Sequence, residues 1–235
     1  MRTTSRFRLL SIASALTSLV LVACGSSATG GPSASAQPPV RTPSAPPPPD
    51  VQRIDVAKTG VAVYQLVSIP AAVLRNASTS HAALDVAVHF TVMRGGRTLL
   101  GLDAAPVALS PGQVMGVAAQ CTHGCAGASA TDVTVTVGSW TPGMLVTLTP
   151  SKVSYACNTC GRGAGQGEVT GTLTARGEPG ATPITANAVC YDAAGQIVGA
   201  GTRQAVWPSS GNTLTLSAPV IINTPPAACD LFATG

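Results

Sequence analysis

The chain has 235 residues, of which 45% are hydrophobic but only 9% charged and 3% aromatic. That is enough apolar material for one or two packed cores, beneath a surface that Thr, Ser, Gly, Gln and Asn must cover. The net charge of +4 is concentrated at the start, where Arg2, Arg6 and Arg8 take three of the 13 Lys and Arg residues and leave 10 against 9 acidic residues. The nearly neutral remainder has no basic stripe with which to track nucleic acid.

Residues 1–23 read as a transport signal. Behind the arginines, Leu9 to Val22 is an uncharged, mostly apolar run, short for a membrane span and placed as a signal core should be. It ends in Leu21-Val22-Ala23-Cys24, which resembles the bacterial lipobox. The resemblance implies cleavage before Cys24, a diacylglyceryl group on its sulfur and an extracytoplasmic, membrane-anchored protein. The plainer alternative is an ordinary cleavable signal followed by an accidental cysteine. Each buried methylene is worth about 0.8 kcal/mol, so two or more acyl chains would anchor firmly where one is marginal.

Residues 24–50 follow as a tether. Gly25 to Asp50 holds eight prolines, no aromatic residue and a single isolated Val40, too little to bury against anything, so disorder is expected. As a coil it would span roughly 30 Å, and with its proline-rich half extended it would approach ~80 Å.

From residue 51 onward, short β-branched runs alternate with Gly, Pro, Asn and Asp breaks, and no sustained 3.6-residue period is present. The sequence therefore predicts an all-β fold. Strands are expected at Val61–Val67, Ala72–Arg75, Leu84–Val92, Arg97–Leu100, Gln113–Ala119 and Asp132–Trp140. In the clearest, Leu84, Val86, Val88, Phe90 and Val92 share one face, and Arg94-Gly95-Gly96 turns it into a hairpin. A second copy of this grammar places strands at Glu168–Ala175, Ile184–Tyr191, Gln196–Ala200 and Asn212–Ser217. Repetition at roughly 95–100 residues points to two small sandwiches in tandem.

The segment Val189-Cys190-Tyr191-Asp192-Ala193-Ala194-Gly195-Gln196-Ile197-Val198-Gly199 resembles the FxLYD-type domain of bacterial lipoproteins. The resemblance implies an Ig-like sandwich and brings no catalytic residue with it. In the first copy, Val92-Met93-Arg94-Gly95-Gly96-Arg97 lacks both the Tyr and the Asp of that pattern. The expected organisation is thus two tandem Ig-like (FxLYD-like) β-sandwich domains at 51–150 and 167–235, with a Cys/Gly-rich linker at 151–166.

Six cysteines remain beside Cys24, an even number in a chain marked for export: Cys121, Cys125, Cys157, Cys160, Cys190 and Cys229. Disulfides are the expectation, with Cys190 joined to Cys229 and two local loops, Cys121–Cys125 and Cys157–Cys160. The long loop should contribute about 3 to 4 kcal/mol. Two alternatives stay open: crossed pairs, or a zinc site built from the four close cysteines with or without His123. No metal or cofactor is assigned. The chain has three histidines, His81, His89 and His123, two glutamates, Glu168 and Glu178, and no Gly-x-Ser-x-Gly, His-Glu-x-x-His or Ser-x-x-Lys motif. Trp140 and Trp207 read as packing residues and the histidines as surface residues.

The functional expectation is a non-enzymatic binding or structural module of the cell envelope, held to the membrane by lipid on Cys24, its ligand or protein partner unspecified. The alternative is a metal-binding or thiol-redox lipoprotein. Metabolic labelling with a fatty acid should mark the wild-type protein and be abolished in Cys24→Ala; label retained in the variant rejects the lipobox.

Overall fold

The run Ile69-Pro70-Ala71-Ala72-Val73-Leu74 contains no polar side chain, so a strand made of it has two apolar faces and must be covered on both. A computed structural model describes residues 49–160, 163–176 and 181–234 of the chain and realises that demand. The signal-like residues 1–23, Cys24, the tether to residue 48, Gly161, Arg162 and Glu178 lie outside the described residues.

All thirteen elements are strands: β1 (Ile54–Tyr64), β2 (Val67–Asn76), β3 (His81–Arg94), β4 (Arg97–Asp103), β5 (Val107–Leu109), β6 (Val114–Ala118), β7 (Ala130–Pro142), β8 (Leu148–Cys157), β9 (Gly165–Ala175), β10 (Pro183–Tyr191), β11 (Ile197–Val206), β12 (Thr213–Ile222) and β13 (Ala228–Thr234). They form three antiparallel sheets. The first has the order β1-β2-β6, and the third the order β13-β10-β11-β12-β9-β8. The second is centred on β3, with β7 along one edge and β4 and β5 in succession along the other.

The first sheet is shared. Ala72 and Leu74 of β2, with Met115 and Val117 of β6, pack on Val86, Val88 and Phe90 of the second sheet. Ala71 and Val73 of the same strand turn the other way and pack, with Ala62, Ile69 and Ala118, on Val189, Ile197, Ala200 and Ile221 of the third sheet. Period-two alternation delivers one strand to two cores. The third sheet also folds on itself: Leu231 of β13 lies against Gly171 of β9, with three strands between them in the sheet order. A separate core of Val169, Leu173, Ile184, Cys190, Trp207, Leu216 and Ile222 fills its interior.

The seam between the first and third sheets is pinned by polar groups as well. The Asn223 side chain accepts from the Val63 N–H (2.6 Å) and donates to the Val61 carbonyl (2.9 Å), occupying the outer edge of β1 as another strand would. Lys58 of β1 donates to the Gly195 carbonyl at 2.7 Å and sits 4.7 Å from the centre of the Tyr191 ring. Close approach requires glycine at two points. A Cβ on Gly60 would stand 2.6 Å from Ile197 Cβ, and one on Gly116 would enter the Phe232 ring.

Residues 151–166, expected to link two domains, instead carry most of β8 and its hairpin turn into β9, with Tyr155 opposite Val169 and Cys157 opposite Gly167. The chain passes from the second sheet to the third at 143–147, between β7 and β8. Three disulfides are present: Cys121–Cys125, Cys157–Cys160 and Cys190–Cys229. The last joins directly opposed residues of β10 and β13 and closes a loop with a sequence separation of 39, for which the chain-entropy argument gives about 4 kcal/mol.

Inserting a methyl group at the seam forces neighbouring side chains off their rotamers. Gly116→Ala should lower stability by about 1 to 3 kcal/mol, read as a shift of the denaturant midpoint; an unchanged midpoint would show that the seam has room to give.

Candidate functional site

The face expected for Leu84, in phase with Val86, Val88 and Phe90, is not the face it takes. To the core shared with the first sheet β3 contributes Ala83, Val86, Val88 and Phe90, so the strand changes phase between Ala83 and Val86. Its partner β7 does the same, contributing Val135 and Val137 and then Trp140. Both slips occur where Asp85 stands opposite Gly138, between the Leu84–Ser139 and Val86–Val137 pairs. Asp85 has φ 51°, a left-handed backbone that Asp and Asn tolerate better than other side chains. A Cβ on Gly138 would come within 2.9 Å of Asp85 Cβ, so glycine is needed opposite it. On the other edge, the pairing of β3 with β5 shifts register at the same place. Such irregularities redirect side chains. Here the result is that Leu84 leaves the core and points, beside Asp85, into a groove.

That groove, of about 610 Å³, lies between the second and third sheets, with Leu84, Asp85 and Val107 on one wall and Ile184, Gln204 and Val206 on the other. Its volume is in the range of small-ligand sites. An adjoining hollow of about 380 Å³ shares Thr185 and Gln204 with it and adds Asp103, Gln120, Thr202 and Arg203, whose guanidinium donates to the Ser217 carbonyl. Four polar side chains of the groove, Asp85, Thr185, Gln204 and Thr234, have no hydrogen-bonding partner among the described residues. Behind it, Asn187 lies on the same face of β10 as Thr185, is 2% exposed, and its Oδ1 accepts no hydrogen bond. A buried acceptor left unpaired costs about 1–3 kcal/mol.

The residues singled out from the sequence are held elsewhere and in structural roles. His81 Nδ1 is 2.8 Å from Asp50 Oδ2 and 2.9 Å from Ser80 Oγ. A Ser-His-Asp relay needs the hydroxyl and the carboxylate on opposite ring nitrogens. Here both meet the same nitrogen, and they belong to a carboxylate cage: Asp50 accepts from the Ser78, Thr79 and Ser80 hydroxyls and from the Thr79 N–H. His89 pairs across the β3–β4 ladder with Asp103 at 2.8 Å, and its ring covers Gly101. His123 lies inside the Cys121–Cys125 loop, where Thr122 Oγ1 is 2.9 Å from its Nδ1.

Trp207 is fully buried in the core of the third sheet, donating from Nε1 to the Gly211 carbonyl, and Trp140 packs on the core beneath β3. The four cysteines of the zinc alternative stand in two separate disulfides, and no group of three potential metal ligands occurs among the described residues. Asp192 Oδ1 caps its own turn, accepting from the N–H groups of Ala194 and Gln196. Asp85 and Gln204 were not anticipated. An acidic residue inside an otherwise alternating strand was the available signal for the first.

No protein-family model matches the chain, and no curated protein is significantly similar to it. Ten chains of solved structures match it, among them a glycosyl hydrolase family 2 member from Bacteroides cellulosilyticus DSM 14838. The two are 9% identical with a TM-score of 0.29, over 76% of this chain and 27% of that one. This chain therefore spans well under half of that protein's length, and the likeness carries no inference about activity.

The Asp50 cage has a pH signature. The Ser78 hydroxyl first, then the Thr79 N–H, with His81 and Ser80 adding, hold its carboxyl well below the usual carboxylate range. A depressed folded-state pKa stabilises above the unfolded value of about 3.9 and ceases to do so as pH falls through the folded value. In Asp50→Asn the acid-side decline of melting temperature below about pH 4 should be shallower than in the wild type; parallel profiles would deny the cage that role.

Proposed function

We propose that this chain is a lipid-anchored, extracytoplasmic binding module that presents the Asp85 groove to an envelope ligand and performs no chemistry on it. The observation that carries the reading is the concerted phase slip of β3 and β7, which costs both strands their regular alternation and yields a groove lined by unpartnered polar groups. Irregularities of this kind cluster where a fold serves a ligand. Three disulfides suit an oxidising compartment, in keeping with the export signal and Cys24. The clamps of Asn223 and Lys58 hold the third sheet, which forms one wall of the groove, to the first.

A second reading, thiol exchange at Cys157–Cys160, rests on one asymmetry. Cys157 is exposed at the hairpin tip and its sulfur accepts the Cys160 N–H at 2.7 Å, whereas Cys160 is buried beneath the Tyr155 hydroxyl. An N–H bond of this kind favours a thiolate. Catalysed insulin reduction, lost in Cys157→Ser, would decide for it.

A photo-crosslinking residue at Ala108, in the groove, should capture an envelope component in intact cells, while the same residue at Thr172, on the far side of the third sheet, should not. Equal capture at both positions, or none at either, rejects the binding-module reading.

A further inference from the structure

We propose that the groove takes an extended peptide segment carrying one basic side chain, its cationic head on Asp85 and its backbone along β5; this rests on the binding-module reading and specifies the ligand class. Charge comes first. Among the described residues Asp85 has no partner and no Lys, Arg or His lines the groove, the Arg203 of the adjoining hollow being engaged by the Ser217 carbonyl. An anionic ligand would face an uncompensated like charge, whereas an ammonium or guanidinium forms the charge-assisted bond that Asp85 lacks. A bare metal ion fits poorly, because Asp85 belongs to no group of three potential ligands among the described residues. A sugar has no platform, since no aromatic ring lines the groove or the hollow beside it.

Shape then favours a peptide. Among the described residues β5 is the last strand on its side of the second sheet and is paired to β3 only, and Val107 and Ala108 bring it to the groove. An extended segment adds to such an edge by main-chain hydrogen bonds, with alternate side chains directed into pockets. Thr185, Gln204 and Thr234 supply both donors and acceptors to its opposite side. Leu84, Ile184 and Val206, the last 63% exposed, offer apolar contact to the methylene stem of a Lys or Arg. Asp85 is placed for this by its left-handed backbone, which asparagine shares, so Asp85→Asn removes the charge and keeps the strand geometry.

The test uses the full chain in detergent, observed by amide NMR, with acetyl-Thr-Val-Arg-Val-Thr-amide as probe and counterparts bearing Gln or Glu in place of Arg. The Arg peptide should shift resonances of Leu84 to Ala108 and of Thr185 to Val206. Replacing its Arg by Gln, or Asp85 by Asn, should each weaken binding about tenfold, and the two losses should not add. Gln204→Ala, which leaves the phase slip untouched, should weaken the Arg and Gln peptides alike.

Equal binding of the three peptides, or undiminished binding to Asp85→Asn, overturns the proposal. Capture at Ala108 without binding of any peptide removes the peptide but leaves the binding module standing.

Discussion

The sheet β1-β2-β6 is apolar on both faces, and water tolerates such a sheet only when both are covered. Against the second sheet it buries Leu74, Met115 and Val117; against the third it buries Ile69 and Val73, which meet Val189, Ile197 and Ile221. Exposing one large aliphatic side chain costs about 1.5–3 kcal/mol. For these last five the loss is of the same order as the whole margin of about 5–15 kcal/mol that keeps a domain folded. The third sheet is therefore a required partner of the first. The glycines at positions 60 and 116, the amide of Asn223 and the ammonium of Lys58 are the means by which the two faces meet without a gap or an unpaired backbone edge.

Sequence periodicity shows strands well and sheets poorly. The all-β class, most strand positions and the cysteine pairs that close short loops were visible because alternation, turn residues and cysteine spacing are local properties. Of strand β2 the sequence marks Ala72–Arg75, and it draws Val67 into a Val61–Val67 strand that the turn at Gln65 and Leu66 divides; between the two lies Pro70, a residue that disfavours strand interiors. The structure runs through it: β6 pairs only from Ala71 onward, and the Pro70 carbonyl still accepts from Ala119. Residues 151–166 read as a linker from their cluster of Gly and Cys, yet Ser151 to Cys157 belong to β8, with Tyr155 paired to Val169. The continuous apolar run of β2 was the signal for a strand covered on two sides. Nothing local announced which sheet would cover it.

The groove was illegible for a related reason. A perfect alternation from Leu84 to Val92 predicts a flat, regular strand, and the departure depends on Gly138, a residue over fifty positions away in β7. Only when the two are paired does the slip of one strand permit the slip of the other. His81, His89, His123 and the tryptophans, conspicuous in a sequence so poor in chemistry, proved to be a turn, a ladder, a loop and two cores. The groups free to meet a ligand are ordinary ones, Thr, Gln and a single Asp, and they differ from their neighbours only in where the sheets leave them.

The carboxylate cage around Asp50 also has a mechanical meaning. Asp50 precedes β1, which begins at Ile54, yet its hydrogen bonds go to Ser78, Thr79 and Ser80 in the turn between β2 and β3. A pull applied at Pro49 is thus delivered first to that turn. Without the cage the same pull would peel β1 from β2 one pair at a time, beginning at Ile54 and Asn76, as a zipper opens from its end. With it, several bonds across two sheets must yield together before the zipper is reached. One aspartate just ahead of β1 converts an unzipping load into a shared one, and so spares the strand whose far half, at Ala62, forms the seam.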